Sequence, residues 1–335
     1  MYRIAKLPDN EKQELIIATA RKMNLPEAII EKDLWVCIVL DYLFHTSRWK
    51  NAFAFKGGTS LSKVYNIIER FSEDIDLILD WRVLGYETYE PWEKRSNTKQ
   101  QQFLDDANSR LFSFLSDDFL PVFRQELSEI AGREINAYIT DNDAGTVRFQ
   151  YPNAFSDASI LGEIRLEIGA LAAWTPTQIA TVTPYAAEYY PGVFTKTGTE
   201  VLTTTAVRTF WEKATILHQE ALRPAGSKVP ARYSRHIYDL YCMSISQIKD
   251  EALRDTALLK EVARFKARFY PRNWARYDLA ENPKTLKLTP AENSLPAFKE
   301  DYKKMRSMIF GTYPSFESML EQIARLEKEI NSLDA

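Results

Sequence analysis

The residues best suited to chemistry crowd into one stretch of the chain. Phe55-Lys-Gly-Gly-Thr-Ser-Leu-Ser-Lys63 is followed closely by Arg70-Phe-Ser-Glu-Asp-Ile-Asp-Leu77. Asp74 and Asp76 stand two residues apart. On a strand that spacing puts both carboxylates on one face, about 6–7 Å apart, within reach of the same divalent cations. Mg²⁺ (or Mn²⁺) takes oxygen ligands and keeps coordination positions open for substrate phosphates. A Gly57-Gly58 turn opening a helix offers backbone N–H groups to an anion with no side chain in the way, and the Thr59 hydroxyl adds a donor. Each feature alone is ordinary: Gly-Gly makes tight turns, and Asp-x-Asp on a wet strand face is solvated charge. A phosphate cradle just before a paired-Asp strand is what transfer from a nucleoside triphosphate requires.

The flanking pattern predicts the elements that must hold these groups. Residues 9–45 read as helices, with Pro26 at the first turn of the second. The apolar run at 52–55 reads as a strand, residues 61–70 as a helix, and residues 72–80 as a strand. In that last strand Ile75, Leu77 and Leu79 point one way and the two aspartates the other. Residues 98–130 have helical spacing. Residues 135–140 and 147–151 flank Asp141-Asn-Asp-Ala-Gly145 as a hairpin. Residues 160–168 form a further strand, with Arg165 and Glu167 facing away from Ile164, Leu166 and Ile168. From Thr203 onward the pattern is almost wholly helical. The expected division is an α/β domain over 1–200 and a helical domain over 201–335.

Composition narrows the class. The chain has 335 residues, 45% hydrophobic and 27% charged, which excludes a largely disordered chain, a collagen-like repeat or a small disulfide scaffold. Its net charge of -3 excludes a uniformly basic nucleic-acid coat but leaves room for a local basic face. Two distant cysteines, Cys37 and Cys242, and three scattered histidines lack zinc-site spacing. The first residues do not form a signal peptide, and the longest apolar run, 34–44, is too short to span a bilayer. The expectation is a soluble, cytoplasmic protein with no membrane contact.

Two further regions carry alternatives. Residues 260–276 contain six basic residues and one acidic, interleaved with Phe265, Phe269, Tyr270 and Trp274. Arg264, Lys266, Arg268 and Arg272 are suited to phosphates while the aromatic faces stack unpaired bases; equally, an amphipathic helix buries such aromatics and solvates its arginines. His236 is either a general base or a hydrogen-bonded structural histidine. Lys213, between Phe210 and Leu217, is placed to line a core with its aliphatic stem while its amine reaches water.

The run Gly57-Gly58-Thr59-x-Leu61-x-Lys63 followed by Ser72-Glu-Asp74-Ile-Asp76 resembles the signature of DNA polymerase β-type nucleotidyltransferases. More narrowly it is similar to the AbiEii/AbiGii toxin family of bacterial type IV toxin–antitoxin (abortive infection) systems. Glu31-Lys-Asp33-Leu-Trp35, Phe210-Trp-Glu212-Lys213 and Arg235-His-Ile-Tyr-Asp239-Leu look like that family's other motifs, and the likeness spans about residues 25–245. The resemblance implies an α+β fold, a polymerase β-like core of mixed sheet with flanking helices, whose active site the helical C-terminal half completes. It implies that Gly57, Gly58, Thr59, Lys63 and Ser72 bind the triphosphate and that Asp74 and Asp76 hold Mg²⁺. By the same resemblance Lys213 neutralises phosphate charge, and Asp239 holds or orients Lys213 or the substrate. The wider superfamily adds a third carboxylate, usually Asp, on a neighbouring strand. Glu167 has the right parity for it, as base or metal ligand. The implied function is a toxin that transfers nucleotides to RNA, with the tRNA 3′ end as acceptor, and an antitoxin that need not form a stable complex. The alternatives are nucleotidylation or phosphorylation of a protein, and a non-catalytic nucleotide- or RNA-binding module.

Overall fold

The computed structural model describes residues 1–72, 74–157, 160–172 and 175–333. Two compact units emerge: Met1–Val64 with Phe71–Thr203, and Tyr65–Arg70 with Thr204–Ala335. The first contains α1 (Tyr2–Ala5), α2 (Asp9–Met23), α3 (Glu27–Asp41), β1 (Phe53–Lys56), α4 (Gly57–Lys63) and β2 (Asp74–Leu79). It continues with α5 (Asn97–Ser113), α6 (Leu120–Ala131), β3 (Asn136–Thr140), β4 (Asp143–Gln150), β5 (Ile164–Gly169), β6 (Thr177–Val182), α7 (Tyr185–Tyr189) and β7 (Thr199–Thr204).

The strands form one mixed sheet in the order β3-β4-β5-β2-β1-β7-β6. Central β2 runs antiparallel to β1 and parallel to β5. Mixed sheet, flanking helices and a helical second half make up the expected α+β class. The apolar stripe of β2 is fully buried: Ile75, Leu77 and Leu79 are each 0% exposed. Ile78, on the aspartate side, is buried too, packed with Ala54 and Ala172. On the carboxylate face of β2 only Asp76 is therefore partly open, since Asp74 and Ile78 are both buried. Beside the sheet, Trp35, Phe119, Phe123 and Phe149 join in edge-on and stacked pairs, geometries that add to simple area burial.

Helix α3 is buried on every side from Ala28 to Asp41, the mark of a helix within a core rather than over one. Its charged residues have designated partners. Glu31 accepts from the Ala154 and Phe155 amides, and Lys32 donates to the Leu161 carbonyl at 2.9 Å. Asp41 accepts from Lys196 and Thr199. These bonds hold loops that lie far away in sequence.

Several boundaries differ from the sequence reading. The helix expected over 61–70 begins at Gly57 and ends at Lys63. Asn66 takes a left-handed φ of 50°, which an α-helix does not accommodate. The hairpin turn is the pair Asp141-Asn142, and Gly145 lies inside β4 rather than in the turn. The strand expected from residue 72 starts at Asp74 and that from 160 starts at Ile164; Glu73 lies outside the described residues. Strands β6 and β7 had no counterpart in the sequence reading.

The second unit contains α8 (Ala206–Ala221), α9 (Ser234–Ser244), α10 (Gln247–Arg254), α11 (Thr256–Phe269), α12 (Tyr277–Ala280), α13 (Leu295–Lys304) and α14 (Phe316–Asn331). Thr205 caps α8 by accepting from the Arg208 amide, satisfying one of the donors a helix start leaves open. Phe210, Trp211, Ala214 and Leu217 bury one face of α8; Ile237, Leu240 and Met243 do so on α9. Met319, Ile323, Leu326 and Ile330 form the buried stripe of α14. Among the described residues no helix is long and apolar enough to cross a membrane.

Candidate active site

In the first unit the site grows from the β1–α4 turn. Gly57 has φ +83°, and a Cβ built there would lie 1.9 Å from Oδ2 of Asp76. Any other residue would carry both a left-handed backbone and a collision with the carboxylate, so glycine is dictated twice. Thr59 donates its hydroxyl to the Asp74 carbonyl, and Ser60 donates to the Gly57 carbonyl at 2.8 Å. The turn and the start of β2 are thus tied together by short side chains.

Strand register sets the acidic row. Asp76 is the partner of Lys56 on β1 and of Glu167 on β5, and Glu167 is in turn the partner of Thr146 on β4. Neighbouring strands lie about 4.8 Å apart, so Lys56, Asp76 and Glu167 stand side by side. Asp74 is the partner of Arg165. Asp74 is buried, whereas Asp76, Glu167 and Lys56 are half-buried. Among the described residues no group of three or more His, Cys, Asp and Glu side chains is placed to hold a metal ion. The donor set of β2 is therefore a pair of carboxylates, hard oxygen ligands of the kind Mg²⁺ takes together with phosphates.

Lys63 has its own partners on α3 and α7. Its ammonium is 2.7 Å from Oδ1 of Asp33, with both side chains buried, and 3.6 Å from the centroid of the Tyr185 ring. Oδ2 of Asp33 accepts from the Tyr185 amide at 2.7 Å. Burial alone would lower the pKa of Lys63, but the Asp33 charge outweighs it and holds the ammonium well above its ordinary range. Lys63 engages α3 and α7. Ser72 is half-buried just ahead of β2.

In the second unit Asp239 lies at the centre of a charged cluster. It accepts from Arg70 Nε at 2.7 Å and from another guanidinium nitrogen at 2.8 Å, a bidentate grip. Its Oδ2 also accepts from Lys213 Nζ at 2.6 Å, and Lys213 donates to Nδ1 of His236 at 3.2 Å. Arg70, Asp239, Lys213 and His236 are all buried. Burial would raise the Asp239 pKa, yet the Arg70 and Lys213 charges hold it far below the usual carboxylate range. Burial first, and then the charges of Lys213 and Arg235, push His236 well below its ordinary value, leaving it neutral. The bidentate partner of Asp239 is Arg70, 169 residues away, which sequence reasoning quoted but gave no role. Lys56 was overlooked in the same way, because its place beside Asp76 follows only from the antiparallel register.

The basic stretch divides. Phe265 and Phe269 are buried, Tyr270 is 49% exposed, and Trp274 is half-buried with the Arg223 guanidinium 5.0 Å from its ring centroid. Arg264 pairs with Glu281 at 2.9 Å, Lys266 donates to the Glu212 carbonyl, and Arg268 lies 5.7 Å from the Phe269 ring centroid. Arg264 and Arg272 are exposed, and Lys266 and Arg268 are half-buried. The amphipathic reading holds for Phe265 and Phe269.

Comparison with solved structures finds the nucleotidyltransferase toxin MenT4 from Mycobacterium tuberculosis, similar at TM-score 0.55 and 17% identity over 96% of this chain and 90% of that one. The protein JHP933 from Helicobacter pylori aligns at TM-score 0.41 and 12% identity, over 90% of this chain and 91% of that one. No curated protein matches the chain. The first likeness shows the fold. Residues 39–322 match the family model described as nucleotidyl transferase AbiEii toxin, type IV TA system. With the glycine turn and carboxylate pair in place on that fold, the chain belongs to the AbiEii nucleotidyltransferase toxins of type IV toxin–antitoxin systems.

Proposed function

We propose that this toxin transfers a nucleotide from a nucleoside triphosphate to the 3′ end of tRNA, in a reaction that depends on Mg²⁺ (or Mn²⁺), and so blocks translation. One observation carries the reading: the Asp76 carboxylate fills the space that a Cβ on Gly57 would take. A phosphate seated on the Gly57-Gly58 amides would lie against the carboxylates that manage its charge.

Asp74 and Asp76 would hold the metal, which when bound supplies Lewis-acid stabilisation of the attacking and leaving oxygens. The backbone of Gly57 and Gly58, with Ser72, would seat the triphosphate, and Thr59 would set the turn through its bond to Asp74. Glu167, beside Asp76, would accept the proton as the acceptor hydroxyl oxygen bonds to the α-phosphorus and pyrophosphate departs. Lys56 would balance the acidic row. Lys213 would offset negative charge on the triphosphate, and Asp239 would hold Lys213. Arg264 and Arg272, exposed in the 260–276 region, would contact tRNA phosphates, with Lys266 and Arg268 supporting that face. An antitoxin would counter the activity without a stable complex.

The test is incubation with Mg²⁺, total bacterial tRNA and each α-³²P-labelled nucleoside triphosphate in turn. Label is expected in tRNA, at its 3′ terminus by nuclease mapping. Label in protein instead would replace the RNA acceptor with a protein hydroxyl, and the absence of label from every acceptor would contradict the proposal.

A further inference from the structure

Helix α9 carries a second stripe beside that of His236 and Asp239. Tyr238, Tyr241 and Cys242 on α9 and Ile245 at its end stand at i, i+3, i+4 and i+7, the spacing of one helix face. They line a cavity of about 590 Å³, a size that suits a small ligand. Facing them is the segment Tyr65–Arg70, which belongs to the second unit. The Phe310 and Gly311 amides donate to the Glu69 carbonyl there, and Arg70 bridges to Ile309. The start of α10 and Thr312 complete the wall.

The lining has a definite chemistry. It holds three phenol rings, of Tyr65, Tyr238 and Tyr241, and three isoleucines, Ile67, Ile245 and Ile248. Ile245 is 63% exposed, so a ligand that covers it removes a large apolar side chain from water. Glu69 is the one charged residue of the lining. Its Oε2 accepts from the Thr312 amide at 3.1 Å, which holds the carboxylate at the wall. An anionic ligand, a nucleotide included, would meet like charge and no base. A bare divalent cation takes several oxygen ligands, which isoleucine walls do not offer. A protonated alkylamine suits both parts of the lining: carboxylate and aromatic rings attract the ammonium, and the isoleucines cover the methylenes.

We propose that this cavity binds a free organic amine of the polyamine class, with an ammonium at Glu69 and its methylene chain on Ile67, Ile245 and Ile248. A lysine side chain of another protein carries the same chemistry. The lining, however, runs from exposed Ile245 inward to Tyr238, which is 1% exposed. A free chain can follow that path along its whole length, whereas a lysine is tied to a backbone that must stay at the mouth. The inference stands apart from the nucleotide-transfer reading, since none of these residues belongs to the glycine turn, the acidic row or the Lys213 cluster.

The test is isothermal titration of the full chain with spermidine, with N-acetyl-lysine methylamide and with uncharged 1-pentanol. Salt at about 0.15 M screens diffuse attraction to an acidic protein. Spermidine is expected to bind one to one and more tightly than either other probe. Glu69→Gln keeps an acceptor for the Thr312 amide and should weaken spermidine about 10-fold or more, the loss of one charged hydrogen bond. Tyr241→Leu should weaken it as well. Glu14→Gln makes the same change of net charge on α2 and should leave binding as it was. Melting curves establish that each variant is folded. Equal weakening by Glu14→Gln would reduce the effect to diffuse charge and overturn the site, as would wild-type affinity in folded Glu69→Gln. Tighter binding of the lysine derivative would overturn the free amine, and equal binding of pentanol would overturn the part played by charge. Failure of the wild type to bind spermidine would overturn the proposal outright.

Discussion

Gly57 shows how a single residue can join backbone and chemistry. Its left-handed φ and the Asp76 carboxylate standing where a Cβ would go make Gly57→Ala costly twice: about 1–2 kcal/mol for the backbone, plus whatever moves Asp76 aside. The variant should melt lower and lose at least 10-fold in transfer rate. A folded Gly57→Ala protein with normal activity would remove Asp76 from the turn's function. His236 gives a pH signature with a definite sign. Its folded pKa lies well below the unfolded value near 6.5, so the unfolded chain takes up a proton that the native chain refuses. Stability should be full above about pH 6.5 and fall as the pH drops below it. Asp239, also depressed, adds a further loss once the pH falls below the ordinary carboxylate value near 3.9. Urea unfolding at pH 5, 6, 7 and 8 should show the first decline, and His236→Asn should flatten it between pH 5 and 6.5; an equal slope in the variant would assign the decline elsewhere.

At the scale of elements, the Asp33–Lys63 pair joins α3 to α4 with both side chains buried. Removing one partner strands a buried charge, at about 3–5 kcal/mol, whereas replacing both with apolar residues of similar size is nearly neutral. Lys63→Met should therefore be strongly destabilised and Asp33→Asn/Lys63→Met largely restored, because an amide oxygen at position 33 still accepts from the Tyr185 amide, with triphosphate KM unchanged. A raised KM in the stable double variant would return Lys63 to the phosphate-binding role its motif suggested. This element was only half legible in sequence. The apolar alternation of β2 and the parity of Glu167 on β5 could be read directly, since buried strands alternate. The strand β7, Thr199–Thr204, was missed because threonine is β-branched yet polar, so Thr-Glu-Val-Leu-Thr-Thr shows no clean alternation although four of its six residues are buried. Strand β6, at the sheet edge, is mostly open to solvent and carries even less apolar signal. Pairings such as Arg70 with Asp239 leave no periodic trace at all, because they join segments that only tertiary packing brings together.

Over the whole molecule, net charge -3 means that any affinity for RNA must come from a local face. If Arg264 and Arg272 contact phosphates, the Arg264→Ala/Arg272→Ala variant should bind tRNA more weakly and reduce the slope of log K against log salt by about 2; an unchanged slope would place the RNA elsewhere. The broader account depends on the two carboxylates of β2 more than on any partner surface. Asp74→Asn/Asp76→Asn removes both charges while keeping size and shape. The decisive measurement is transfer of α-³²P label by this variant and by wild type, each shown to be folded by its melting curve, with Mg²⁺ titrated from zero. The account predicts Mg²⁺-dependent labelling by wild type and at least a 10³-fold loss in the folded variant. Equal labelling by the two proteins would contradict it.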